Sequence, residues 1–135
     1  MATNYTLKID AGADYFLAVQ LEDDAGELID MTGFSARMKL KKAYDSPEPM
    51  VSLTSDEGGG IVFEKFDDES KYTDTCSVHI TDDQTGPLVD YTVLDSDGEV
   101  EQGEGVYDLE IVDEGGNVLR AIQGMWIAYQ EATRP

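Results

Sequence analysis

The sequence predicts an all-β sandwich of about seven to nine short antiparallel strands, with at most one short helical turn. Three observations lead to this prediction. Apolar and polar residues alternate with a period of two in most segments. Turns rich in Asp, Gly and Pro separate these segments at short intervals. No strands alternate with long helices, which argues against a parallel doubly wound sheet. The 135 residues fit a single domain spanning 1–135.

Two strands and a hairpin are predicted near the N-terminus. Alternation runs from Tyr5 to Ile9, and again over 15–21, where the odd-numbered side chains form one apolar face. The acidic turn 22–27 then interrupts the pattern. Residues 28–30 follow as a short strand, and we expect them to return beside 15–21 as a hairpin.

The clearest amphipathic strand covers 34–41. Its apolar side chains share one face: Phe34, Ala36, Met38 and Leu40. Its cations share the other face, and a fourth cation follows at once: Arg37, Lys39, Lys41 and Lys42. These are four of the nine Lys and Arg in an acidic chain. The patch either docks an acidic surface, such as that of a neighbouring copy, or neutralises acids within its own fold.

The middle of the chain contains three further predicted strands. Two prolines make 44–49 a loop. Strands are expected at 50–54 and 61–66, on either side of a glycine-rich turn. A third strand is expected at 71–81, with Cys76, Val78 and Ile80 facing inward and Ser77 and His79 facing outward.

A single helical turn is predicted at 81–87. Thr81 is a suitable N-cap, and Asp82 and Asp83 favour the first turn of a helix. We expect the helical turn to end at Gly86-Pro87.

The C-terminal third is predicted to contain a weak hairpin and a strong one. Residues 89–104 form an acidic segment that either pairs weakly with itself or projects as a loop. Strands are expected at 105–112, 118–122 and 124–130, with a turn at 113–117 between the first two. In the last strand Trp126 faces away from Met125, Ile127 and Tyr129. A strand that is apolar on both faces is either sandwiched or covered by a partner, so Trp126 joins the cations as a candidate interaction residue.

The charge excludes several functions. With a formal net charge of −20 and a pI near 4.1, the chain is unsuited to nucleic acids and anionic membranes. No apolar run reaches the length of a membrane span, and no signal peptide is predicted. A single cysteine allows no intrachain disulfide, which fits a reducing compartment.

No catalytic constellation is found in the sequence. The one histidine, His79, and the one cysteine, Cys76, are predicted on opposite faces of a strand. Zinc-ligand clusters and phosphate-binding glycine motifs are missing. The segment 95–99 has its glycine at the wrong position for an EF-hand loop, and it is interpreted as a turn. We therefore expect no enzyme activity, no cofactor and no metal site.

Several segments, in order, resemble small phage tail and baseplate proteins. Residues 28–38 resemble a "DLTGYTARMQ"-like segment, and residues 81–85 a "T…QT" turn. Residues 106–111 resemble a "YDLEL" strand, 115–126 the final hairpin, and 131–134 an "evTR" ending. Among such proteins, the segments are most similar to the N-terminal β domains of baseplate upper proteins. Residues 89–104 depart from the pattern, because they are longer and more acidic.

The resemblance implies an immunoglobulin-like sandwich without enzymatic activity, which attaches or organises other virion proteins. The expected location is the virion, assembled in the bacterial cytoplasm, as a tail, baseplate or neck adaptor. The alternatives are a capsid decoration protein and a module that binds carbohydrate or a host receptor. Because sandwich edges invite pairing, we expect a homo-oligomer or a symmetric lattice, held by the basic strand face against acidic loops.

Overall fold

The computed structural model describes residues 3–90 and 92–130, and it contains two β-sheets packed face to face. The first half supplies six strands: β1 Thr3–Asn4, β2 Leu7–Asp10, β3 Tyr15–Val19, β4 Ser35–Lys41, β5 Val51–Thr54 and β6 Ile61–Glu64. The second half supplies three strands and one short helix: β7 Thr75–Ile80, α1 Asp82–Thr85, β8 Gly103–Val112 and β9 Val118–Tyr129. The all-β prediction is confirmed.

The strand order is that of an immunoglobulin-like sandwich. The large sheet has the order β1-β9-β8-β4-β5, and β2 also pairs with β9. The small sheet has the order β3-β7-β6. The small-sheet strands thus take the places of B, E and D, and β9, β8, β4 and β5 take those of G, F, C and C′. The pairs are antiparallel except where β1 and β2 run parallel to β9.

The core lies between the sheets and is formed by the faces that alternation predicted. In β4, Ala36, Met38 and Leu40 are buried while Arg37 and Lys39 are exposed. In β7, the predicted inward residues Cys76, Val78 and Ile80 are buried. From β8, Tyr107, Leu109 and Ile111 complete the central layer. These buried residues confirm which face of each strand was predicted to point into the core.

Trp126 is the largest side chain in the core and is completely buried. Its indole Nε1 donates a hydrogen bond to the backbone carbonyl of Lys41 at 3.0 Å. Two glycines of β8 make room for the ring. A Cβ built on Gly105 would overlap the Lys41 carbonyl oxygen and lie 2.6 Å from Trp126 Nε1, and one built on Gly103 would overlap the carbonyl oxygen of Leu88. The sandwich closes here because β8 presents backbone instead of side chains.

Some predicted elements differ in extent. Residues 28–30 do not form a strand; a single bridge joins Glu22 to Leu28. The predicted strand at 71–81 begins only at Thr75. Gly86 and Pro87 do not end the helical segment; they continue it as one turn of 3₁₀ helix to Leu88, since proline is compatible with the first helical position. The N-cap at Thr81 is confirmed, with a complete capping box to Gln84.

Three acidic turns share one geometry, Asp-x-x-Gly-x. They are 23–27, 95–99 and 113–117. In each, the Asp amide donates to the carbonyl four residues later, and the Gly amide donates back to the Asp carbonyl. The Asp carboxylate also accepts the amide of the fifth residue, at 3.0, 3.1 and 2.9 Å respectively. Each Gly has φ between 81° and 87°, a range that non-glycine residues rarely adopt. Some of the acidic residues therefore serve to stabilise turns.

The acidic segment 89–104 folds as a short hairpin instead of a free loop. Its turn is the 95–99 motif, and Leu94 bridges Val100. Val89 at its base is buried, whereas Leu94 is 58% exposed. The segment is thus anchored at its base and projects at its tip.

We predict that Gly105→Ala lowers the free energy of unfolding by at least about 2 kcal/mol, because its Cβ would overlap backbone and the Trp126 ring. Urea unfolding followed by the fluorescence of this single tryptophan measures the change. Gly86→Ala is the matched control: it has ordinary helical φ and open space around it, so we expect no loss or a gain of a few tenths of a kcal/mol. Equal stability of the two variants would contradict this packing.

Candidate interaction surfaces

The predicted cationic patch divides into two parts. Arg37, Lys39 and Lys41 lie on the outer face of the large sheet, as alternation predicted. Lys42 follows the end of β4 and turns the other way, so that its Nζ lies 5.9 Å from the centre of the Trp126 ring. A cation at this distance over an indole is attracted to the ring face. Lys42 therefore covers one edge of the core and is separate from the outer face.

Arg37 is neutralised within the fold. Its Nε donates to Glu110 Oε1 at 2.8 Å. Arg120 approaches the same cluster, with its nitrogens 3.4 Å from Asp108 and 3.5 Å from Glu110. The hydrogen bond from Arg37 holds the pKa of Glu110 below its usual range. For Arg37, these contacts favour neutralisation of acids within the fold over docking of an acidic partner surface.

Lys39 and Lys41 differ from Arg37 in the part of the chain that the structure describes. Among the described residues, neither has a carboxylate within 4.0 Å. They border a shallow depression of about 280 Å³, which Tyr44 and Val106 also line. The outer face of the large sheet therefore combines paired and unpaired charges around a partly apolar hollow.

The assignment of Trp126 as an interaction residue is wrong. Its side chain is completely buried between the sheets, so a partner cannot contact it without opening the core. The outward side chains of β9 are instead Met125, which is 46% exposed, and Tyr129, which is 38% exposed. Alternation alone does not show which face of β9 points into the core, because both faces are apolar.

A second surface, which the sequence reasoning did not identify, lies on the outer face of the small sheet. Phe16 is 71% exposed and Val62 is 56% exposed. Phe16 pairs with His79 across β3 and β7, and their rings stack with centroids 4.5 Å apart and 11° between planes. Together with Ala18 and Ser77 these residues line a shallow hollow of about 430 Å³. We call Phe16, Ala18, Val62, Ser77 and His79 the small-sheet patch.

His79 lies at the rim of the small-sheet patch beside one acid. Its Nε2 is 3.2 Å from Asp14 Oδ1, and the same oxygen accepts the amide of Asp82 at 3.0 Å. Cys76 is buried on the opposite face of the same strand, and this burial raises its thiol pKa to about 12. The predicted separation of the cysteine from the histidine is confirmed, so these two residues do not form a nucleophile–base pair.

A third surface is the open side between β3 and β9. Here the two sheets leave a wide cleft of about 1050 Å³. Its apolar lining comes mainly from Leu17, Leu21, Ile29, Leu119 and Ala121, and acidic residues of the 22–24 turn lie at its rim. Along this cleft β3 has no strand on its outer side in the described part of the sheet.

One buried carboxylate has a structural role. Asp74 is 7% exposed and accepts the amide of Phe66 at 2.9 Å and the hydroxyl of Thr75 at 3.0 Å. Burial alone would raise its pKa, but these hydrogen bonds lower it overall. Asp74 thereby ties the 65–74 loop to β7.

Within 3–90 and 92–130, no group of three or more His, Cys, Asp or Glu residues is arranged to hold a metal ion.

We predict that Arg37→Gln returns the pKa of Glu110 towards its usual 4.5, because the main cause of the lowering is removed. A group with a lowered pKa adds stability above its unfolded pKa and loses it as the pH falls through the folded pKa. As the pH falls below about 4.5, the free energy of unfolding of Arg37→Gln should therefore decrease less than that of the wild-type protein. The measurement is an NMR titration of the Glu110 carboxyl carbon. Lys39→Gln, on the same strand face, should leave the titration unchanged; an equal response to both variants would contradict the assignment.

No family model matches the chain, and no curated protein matches it in sequence. Among solved structures, one described as "Tim-1" is similar in fold, with 12% identity, a TM-score of 0.43 and coverage of 100% of both chains. This likeness is too distant to assign a family or a function. Within the described residues, no helix is both long and apolar enough to cross a membrane. The segment 131–134, part of the phage resemblance, lies outside the described residues.

Proposed function

We propose that this protein is a non-enzymatic structural protein of a bacteriophage virion, and that it joins other proteins of the tail, baseplate or neck. Two lines of reasoning support the proposal. Segments 28–38, 81–85, 106–111 and 115–126 resemble small phage tail and baseplate proteins in order. The fold is a sandwich whose two sheets present broad outer faces, which suit protein contacts better than they suit a reaction.

The observation that carries the proposal is the small-sheet patch. Phe16 and Val62 remain mostly exposed on regular strands, where the outward positions are usually polar. Covering a phenylalanine side chain contributes about 2 kcal/mol, and aromatic residues are enriched in the cores of protein interfaces. A shallow, largely apolar surface of this kind is suited to a protein partner.

The small-sheet patch is also pre-organised. The stack of Phe16 on His79 limits the rotamers of both rings before any partner arrives. The side-chain entropy lost on binding is therefore smaller than for a free aromatic residue. Around the patch, Asp14 and Glu64 supply acidic groups at the rim. The partner best suited to this surface has an apolar centre and basic or hydrogen-bond-donating groups around it.

The net charge restricts the partner further. At −20, the chain repels nucleic acids and anionic lipid surfaces. It attracts proteins with basic surfaces, and it stays dispersed before assembly. These properties fit a component that is made free in the host cytoplasm and docks afterwards.

Capsid decoration is the alternative that shares this chemistry, since it differs only in the location of the partner. A carbohydrate-binding role has less support. Of the aromatics that could stack on sugar rings, Trp126 is buried and Tyr91 lies outside the described residues. Tyr44 and Tyr72 are exposed, but they lie on separate loops.

We predict that purified virions contain this protein in a fixed copy number set by the rotational symmetry of the tail. We also expect Phe16→Ser to prevent its incorporation, because the centre of the small-sheet patch is lost. Quantitative mass spectrometry of particles that carry each variant makes the measurement. Tyr72→Ser is the matched control: it also removes an exposed aromatic side chain, and it should be incorporated normally.

Absence of the wild-type protein from particles would contradict the virion assignment. A copy number equal to that of the capsid lattice would favour decoration instead. Wild-type incorporation of Phe16→Ser would exclude the small-sheet patch as the docking surface.

A further inference from the structure

The outer face of the large sheet carries two neighbouring rows of opposite charge. The cations lie on β4 and the anions on β8, and the strands pair in register. Arg37 lies opposite Glu110, and Lys39 lies opposite Asp108. Each of these two cations therefore has an anion beside it at the same height along the strands.

This face is nearly neutral, although the protein is strongly acidic. The outward positions of its strands hold five cations, Lys8, Arg37, Lys39, Lys41 and Arg120, and four anions, Asp10, Glu104, Asp108 and Glu110. The rest of the molecule thus carries essentially all of the net charge of −20. Two copies that approach through this face bring little net charge together, so the approach costs little Coulomb energy.

The pattern also selects the partner. A surface of uniform charge gains as much from one row as it loses on the other. Only a surface with rows of alternating sign, at the same spacing and height, matches both rows. The same face of a second copy has this spacing by construction.

We propose that two copies pair through the outer faces of their large sheets, about a twofold axis that runs parallel to the strands between β4 and β8. Rotation about this axis exchanges the two strands and keeps the height along them. Lys39 of each copy then faces Asp108 of its partner, and Arg37 faces Glu110. An axis perpendicular to the strands would instead place cations over cations, which is repulsive.

The contact can accommodate these side chains. Packed sheets lie about 10 Å apart, a gap that a lysine and a carboxylate span together. Lys39 and Lys41 have no carboxylate within 4.0 Å among the described residues, so they are available for contacts between copies. Met125, at 46% exposure, and Tyr44, at 65%, add apolar surface at the border.

The area sets the expected strength. The large sheet is five strands wide, because β1 and β2 pair with successive parts of β9. The axis between β4 and β8 lays four strands of each copy over four of the other, and β1 and β2 fall outside the overlap. Strands of seven residues span about 23 Å and four strands span about 19 Å, which gives about 440 Å² per copy. Standard interfaces bury about 800 Å² per partner. The dimer is therefore weak, and it forms at raised concentration or when copies are held together on a larger assembly.

The test is sedimentation equilibrium of the full chain over a wide range of concentration, at physiological ionic strength. We expect wild type to dimerise, and Lys39→Glu and Asp108→Lys each to weaken dimerisation at least about tenfold, because each places two like-charge contacts across the axis. Mixing the two variants should restore a dimer. In the mixed dimer the introduced glutamate faces the introduced lysine, and the native Asp108 of one copy faces the native Lys39 of the other. Thermal unfolding of each variant checks that it is folded.

Matched controls change the charge by the same amount elsewhere. Lys65→Glu and Glu57→Lys lie on exposed loops outside the large-sheet face, and they should dimerise as wild type. A wild-type protein that stays monomeric at every concentration would overturn the proposal. Tighter association of Asp108→Lys would also overturn it, because that result indicates a head-to-tail contact with acidic loops. A mixture of the two variants that stays monomeric would overturn it as well. The inference stands apart from the virion assignment, and either can fail alone.

Discussion

The pairing register of β4 with β8 is the constraint on which the rest of the structure depends. In this register Met38 lies beside Leu109 in the core, and Lys39 lies beside Asp108 outside. Because strand side chains alternate, a slip of one residue would bury the charged row and expose the apolar one. Burying several unpaired charges would cost far more than a domain's whole stability. The core and the charged outer face are thus two consequences of one alignment.

Trp126 joins this alignment to the rest of the sandwich. The ring lies against the backbone of Gly105, and its indole nitrogen donates to the carbonyl of Lys41 at the end of β4. A single side chain therefore connects β9, β8 and β4. Its large apolar area contributes to the core, and its one polar atom is satisfied, so burial leaves no hydrogen-bond donor unpaired. This explains why the residue expected to meet a partner instead holds the sandwich together.

Sequence patterns were most informative where one face of a strand is apolar and the other polar. β4 and β7 are of this kind, so their inward residues were predicted correctly. β9 has apolar residues on both faces, and alternation alone could not choose between Trp126 and Met125. The missing signal was the pair of glycines at 103 and 105, which lie opposite Ala128 and Trp126 and leave space on the core side. Phe16 gives no local signal for a related reason: it lies on the second face of an alternating strand, and its partner His79 lies on a strand far along the chain. The Asp-x-x-Gly-x turns, in contrast, are local and could have been recognised by their spacing.

The central claim is that β4 and β8 pair as described, and it can be measured by cross-strand nuclear Overhauser effects in the labelled protein. The account predicts backbone contacts that link Lys39 to Asp108 and Arg37 to Glu110. Contacts that link Lys39 to Tyr107 or to Leu109 instead would show a register shifted by one residue. That result would contradict both the core and the charged face described for this fold.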